Sequence, residues 1–296
     1  MGYGAEQRKV EGKIKKLKRW LLGILLLCML TAIVVASISP SDGWKYKVNL
    51  PAVSKRGAGE LRVHFLSLGK GEATLIEFPD GKTALLDGGE DSGNSEKTLL
   101  RYLNALHIDR IDYLVVTDTA EKYCGGLDTL LKQKTVKTAY LPKKTPVSGS
   151  AYAEFYAELV KENCEREYFS RSIDLSTSTA ELGYAFSFLY PYTLDVEGET
   201  ETETEGCALW LEYSDVSTLF MRAPESVGNL LTRDDRLGLF KNRGVDLKST
   251  EFLKCDTTPS AEVLEYLDIE PLDTEHGGHT LLTVSADGSY TLKTVD

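Results

Sequence analysis

The chain has 296 residues, 42% hydrophobic and 27% charged, with 45 acidic against 34 basic side chains and a net charge of −11. Such a composition excludes a disordered or collagen-like chain, and its acidity argues against nucleic-acid binding through bulk charge, because phosphates are neutralised by Lys and Arg. The charge is unevenly spread: through Ile38 seven basic residues stand against Glu6 and Glu11, a net of +5, which leaves −16 for everything after it.

Residues 1–19 form a basic tail carrying Arg8, Lys9, Lys13, Lys15, Lys16, Lys18 and Arg19. Residues 20–38, WLLGILLLCMLTAIVVASI, hold no charge and at ~1.5 Å per residue come close to the ~30 Å hydrocarbon core of a bilayer. The basic flank places the N-terminus in the cytoplasm and predicts a single-pass cell-membrane protein with an extracellular C-terminal part. A cleaved signal peptide is the alternative, with Val34, Val35, Ala36 and Ser37 as its small-residue site, but signal h-regions run ~7–15 residues. Residues 39–58 lack apolar periodicity and read as a linker, and residues 59–296 as one exported domain.

Within that domain the pattern predicts strands over residues 60–68, 73–78 and 83–86, separated by Gly69-Lys70-Gly71 and Pro79-Asp80-Gly81. Ser95 is the expected N-cap of an amphipathic helix carrying Leu99, Leu100, Leu103 and Leu106, followed by a buried strand at 113–116. A helix at 127–131, a strand at 136–141 and a helix at 151–160 complete the first half. Strands at 185–190, 207–213 and 218–221 come next, with Pro224 in the first turn of another helix. The end reads as a helix over 259–267 and a hairpin of 280–284 and 290–294 turning at Asp287-Gly288. Residues 197–205, EGETETETE, read as a solvated acidic loop. Strands in two successive runs with helices between them predict layered sheets covered by helices.

The stretch from Leu61 to Leu127 reads LRVHFLSLGKGEATLIEFPDGKTALLDGG, then a helix, then IDYLVVTDTAEKYCGGL. It closely resembles the metallo-β-lactamase-like domain of the ComEC competence-protein family. Gly69, Gly71, Asp87, Gly88, Gly89, Thr117, Gly125 and Gly126 match the family pattern D-V-G-Q-G-D, L-I-D-G-G and T-H-x-H-x-D-H-x-G-G, while Ser67 and Glu72 replace the two Asp residues of its first motif. The resemblance continues more weakly to the C-terminus and implies an α/β fold, an αββα sandwich behind the transmembrane helix. It also implies where a dinuclear metal centre would be built, and there the ligands are missing. The four ligand positions of H-x-H-x-D-H hold Asp118, Ala120, Lys122 and Tyr123, and the metal-bridging Asp of a later G-D-A segment has become Arg222. The family's late His-His-Gly falls near Cys255-Asp256.

The histidines, His64, His107, His276 and His279, lack metal-ligand spacing with a partner, so neither metal nor cofactor is expected. Cys124, Cys164, Cys207 and Cys255 are exported, in a compartment that permits disulfides, with three possible pairings. The resemblance implies that Cys124 and Cys255 flank the vacated metal centre and bridge it. The expected function is a catalytically inactive, membrane-anchored exodomain that binds an unknown extracellular protein or ligand and not nucleic acid. The alternative is a phosphoester hydrolase using an oxygen-only site of Asp118, Glu121 and Asp256 for a hard cation.

Overall fold

The computed structural model describes residues 3–38, 42–169, 173–178, 182–190, 206–232, 240–242, 244–274 and 278–295. The acidic stretch 197–205 and His276 lie outside the described residues. The chain divides into two compact units, Met1–Lys45 and Tyr46–Asp296. The first is dominated by helix α1, Tyr3–Ile38, which runs unbroken through the basic tail into the apolar run. Its window Glu11–Val34 has a mean hydropathy of 2.0 and none of it is buried, so by length and composition this one helix could cross a membrane.

The second unit is an αββα sandwich. Its first sheet takes β1 (Leu61–Leu68), β2 (Gly71–Glu77), β3 (Thr83–Leu86), β4 (Arg110–Val115), β5 (Thr135–Leu141), β6 (Glu165–Tyr168), β11 (His279–Val284) and β12 (Tyr290–Val295), in the order β12-β11-β1-β2-β3-β4-β5-β6. The second has β7 (Ala185–Tyr190), β8 (Cys207–Tyr213), β9 (Val216–Arg222) and β10 (Phe252–Cys255), in the order β10-β9-β8-β7. Helices α2 (Gly93–Ala105), α3 (Glu121–Cys124), α4 (Leu127–Leu131), α5 (Ala151–Lys161), α6 (Pro224–Leu231) and α7 (Ala261–Leu267) complete the described elements of this kind.

Strand alternation sorts the apolar residues into three core layers. Leu61, Val63 and Phe65 of β1 face Phe186, Leu209 and Phe220 of the other sheet, whereas Leu66 and Leu68 face the α2, α4 and α5 side. Likewise Leu219, Met221, Leu253 and Cys255 pack with Val227, Val263 and Leu267 of α6 and α7 on the far side of the second sheet. Burying both faces of the central strands is what produces near-continuous apolar stretches such as VSTLFMR, whereas the edge strands β6 and β12 are exposed.

Three sequence expectations change. The N-cap of α2 is Ser92, whose hydroxyl accepts from Ser95 N at 3.2 Å, and Ser95 itself is buried inside the helix. Strands β6 and β10 were not predicted. Their four residues each, Glu-Arg-Glu-Tyr and Phe-Leu-Lys-Cys, mix charge and apolarity too briefly for a periodic signal. From Tyr46 onward the expected linker is fixed to the domain. Tyr46 is buried, its carbonyl accepts from Asn104 Nδ2 at 2.8 Å, and Arg62 donates to Ser54 O at 2.6 Å.

Candidate functional site

Strands β3, β4 and β5 run parallel, and their C-terminal ends open onto the rim where open α/β sheets usually place ligands. Just past β3, Asp87 adopts a left-handed φ of 63° and is fully buried, with Oδ1 accepting from Thr117 N at 2.7 Å and Oδ2 from the Thr117 hydroxyl at 2.5 Å. The glycines around it let three loops meet backbone to backbone. A β-carbon on Gly71 would overlap Glu90 N, and one on Gly125 would overlap Asp91 N. That close approach is the physical reason for the glycine pattern read from the sequence.

From the opposite sheet two cations enter this rim. Arg222 ends β9 on the face turned to the sandwich interior, two residues beyond Phe220, and its guanidinium spreads over three partners. Its Nε donates to Thr117 Oγ1 at 3.1 Å, one terminal nitrogen to Glu72 Oε2 at 3.1 Å, and the other to Asp87 Oδ2 at 3.0 Å. Lys254, inward-facing on β10, donates to Glu72 Oε1 at 2.6 Å and to Thr274 Oγ1 at 2.7 Å. The Tyr123 ring lies under Arg222, 4.8 Å from the guanidinium carbon, and its hydroxyl donates to Asp256 Oδ2 at 2.5 Å. Asp256 Oδ1 accepts from Ala223 N at 3.1 Å, and Lys122 Nζ lies 3.8 Å from Asp256 at the exposed edge. The Arg222 contacts, Lys254–Glu72, Tyr123–Asp256 and Lys122–Asp256 tie strand ends or loops of different sheets, so the network is a polar staple at one end of the sandwich.

The electrostatics agree with that geometry. Burial works against the Glu72 carboxylate, yet Lys254 and Arg222 hold it below its usual range. Burial also works against the charge of Arg222, but Asp87 and Glu72 more than offset it and raise its affinity for the proton. Asp87, with no exposure at all, is pushed up by burial despite Arg222 and Thr117. Beside the network a small cavity lined by Thr74, Leu86, Cys207, Leu209, Phe220, Met221 and the two cations has room for about one water.

The residues do not fit a metal centre. Glu72, Asp87 and Asp256 are the carboxylates present, and their oxygens are taken by Arg222, Lys254, Thr117, Tyr123 and a backbone N–H. Two fixed cations sit among them, which opposes a divalent ion directly. Among the described residues no group of three or more His, Cys, Asp or Glu side chains could hold a metal. Asp118, Glu121 and Asp256 therefore do not form the oxygen site weighed above. Asp118 Oδ1 instead accepts from Ala120 N at 2.8 Å, closing the turn into α3, and Ala120 is exposed.

The Cys124–Cys255 bridge is absent, and both are free thiols. Cys124 points into the layer under α4 and α5, whereas Cys255 points into the layer under α6 and α7, so the two side chains face opposite outer layers. Burial pushes each thiol up to about 12, away from the thiolate form that a nucleophile needs. Of the histidines, His64 bridges Tyr102 OH at 2.9 Å and Glu77 Oε1 at 3.0 Å, and His279 Nδ1 accepts from Ser67 N at 3.2 Å.

Sequence reading missed Glu72 as a partner of Arg222 and Lys254 as the second cation on that carboxylate. The clue is legible only once FLKC is known to be a strand: its lysine then takes an inward position between buried apolar residues, where a charge needs a counter-ion.

No protein-family model matches the chain, and no curated protein matches it in sequence. Similar solved structures include the metallo-β-lactamase fold protein YhfI from Bacillus subtilis, at 12% identity and a TM-score of 0.39 over 70% of this chain and 91% of that one. A HARLDQ-motif mutant of a metallo-β-lactamase from Cronobacter sakazakii gives 12% identity and 0.39 over 66% and 76%. Zn(2+)-bound PqqB from Methylobacterium extorquens gives 14% identity and 0.37 over 70% and 67%.

Proposed function

We propose that this chain is a non-catalytic relative of the ComEC-type metallo-β-lactamase-like hydrolases, held at the outer face of the cell membrane by α1 and acting there by binding an extracellular partner. One observation carries the reading: the guanidinium of Arg222 and the ammonium of Lys254 saturate the carboxylates at the strand ends where that family's resemblance implies metals. A dinuclear hydrolase needs open coordination positions to activate water and hold a leaving oxygen. Here the positive charge is covalently part of the chain, hydrogen-bonded and closed to substrate, and fold alone supplies no chemistry without its site.

The test is elemental analysis and phosphodiesterase assay of the full-length chain purified in detergent without chelator, alongside thermal unfolding with and without EDTA. No stoichiometric metal, no turnover and an unchanged Tm are expected. Near-stoichiometric zinc or manganese, with activity lost in Asp118→Ala or Asp256→Asn, would overturn the reading.

A further inference from the structure

Residues 47–50, Lys-Val-Asn-Leu, leave the domain surface between two fixed points. Before them Tyr46 is buried, with its carbonyl held by Asn104. After them Ser54 is held by Arg62, through its carbonyl at 2.6 Å and its hydroxyl at 3.2 Å, and Arg56 donates to Pro79 O at 3.3 Å. The four residues between are all exposed, with Val48 and Leu50 each 41% accessible, and Asn49 at their centre takes a left-handed φ of 51°. The loop is thus held at both ends and presents two aliphatic side chains and a lysine outward, close in sequence to the end of α1.

We propose that residues 47–50 insert into the headgroup region of the bilayer that α1 spans, with Val48 and Leu50 reaching the acyl boundary and Lys47 meeting lipid phosphate. The inference rests on the reading of α1 as a span. Its second support is chain length. Helix α1 ends at Ile38 and the 3₁₀ turn Asp42–Tyr46 leads into the loop. Chain length alone sets an upper bound: three residues span at most ~3.6 Å each and the turn adds ~2 Å per residue, so at most about 20 Å of chain separates the end of α1 from Tyr46. The headgroup layer is itself ~5–8 Å deep on each side. Side chains that place an apolar body at the acyl boundary and an ammonium at the phosphates are those favoured there. The sequence reaching the loop, Trp44-Lys45-Tyr46-Lys47, has the same aromatic and basic character, and Trp44 is 67% exposed.

Tryptophan quenching by brominated phosphatidylcholine tests this in the full-length chain reconstituted into vesicles. The chain contains Trp20, Trp44 and Trp210, and Trp210 is fully buried and serves as the constant background. With Trp44→Phe throughout, one protein keeps Trp20. Three others carry Trp20→Phe with Leu50→Trp, Val48→Trp or, as the aqueous control, Val147→Trp, whose position is 71% exposed. The expected result is loss of emission from Trp20 and from the tryptophans at 50 and 48 in brominated vesicles, with the one at 147 unchanged. Quenching of Trp20 while positions 48 and 50 behave like 147 overturns the insertion and leaves the span intact. Failure of Trp20 to be quenched overturns the span, and the insertion with it.

Discussion

Replacing Arg222 by Met removes the charge while keeping an unbranched stem, so the cost isolates the guanidinium. Three hydrogen bonds disappear, to Thr117, Glu72 and Asp87. Glu72 retains Lys254 and Asp87 retains its two bonds from Thr117, so neither carboxyl is fully orphaned. Breaking a buried ion pair by removing one partner costs about 3–5 kcal/mol, and with those bonds retained the lower end, about 3 kcal/mol, is expected. At about 2–4 °C per kcal/mol for a domain of this size, Tm falls by about 6–12 °C. Near-UV circular dichroism of the full-length chain in detergent reads the transition. Arg222→Lys recovers little, because an ammonium cannot fork between Glu72 and Asp87. The double variant Arg222→Met with Asp87→Asn loses about 0.5–3 kcal/mol less than the sum of the single losses, since the charge left unpaired by one change is removed by the other. A Tm within about 1 °C of the parent in Arg222→Met, or strict additivity in the double variant, refutes the argument that the guanidinium staples the two sheets.

Three further outcomes are expected. Gly125→Ala puts a β-carbon onto Asp91 N with Glu121 O and the Glu90 carbonyl carbon also too near, all of them backbone, so the loops must separate and stability drops by about 1–3 kcal/mol in urea unfolding. His64 is held below its ordinary value of 6.5 by burial, so the unfolded chain takes up a proton before the native chain does. Its contribution is complete above about 6.5 and declines as pH falls from there toward the lowered native value. The stability lost between pH 7.5 and 5.5 is therefore smaller in His64→Gln, and an equal loss in both proteins counts against the neutral buried imidazole. Cys124 and Cys255, with thiols pushed up to about 12, resist iodoacetamide in the native chain and react only on unfolding. A mass lower by 2 Da without reductant, reflecting a bridge between them, contradicts the separate layers described above.

Most of the sandwich was legible because its strands are punctuated by glycine turns and its helices carry clean amphipathic spacing. The expected and observed spans coincide at 185–190 and 207–213, and α4 and β3 likewise match. The site was legible only in outline. Arg222 stood out as the wrong residue at a named position, but its role depends on Glu72, Asp87 and Lys254, which are far apart in sequence and converge only when β2, β3, β9 and β10 end at the same rim. The cysteine bridge failed for a related reason. Proximity of two segments along a rim says nothing of which face each strand turns to a layer, and one residue of register reverses that face. Residues 46–58 read as a tether because their anchoring is through single buried groups, Tyr46 and the Arg62–Ser54 pair, and not through periodicity.

The polar staple also bears on how so strained a rim persists. Asp87 lies in a left-handed conformation and is wholly buried, and Ala223, just after Arg222, has a φ of 53°. Both conformations are costly for side chains with a β-carbon, by roughly 1–3 kcal/mol each, so the surrounding contacts must over-determine them. Thr117 and Arg222 do so for Asp87, while Asp256 does so for Ala223 by accepting its N–H. A buried carboxylate here requires a cation, and Arg222 and Lys254 supply it from the chain itself. The strained rim, the glycine-packed loops and the inward cations therefore form one self-consistent unit.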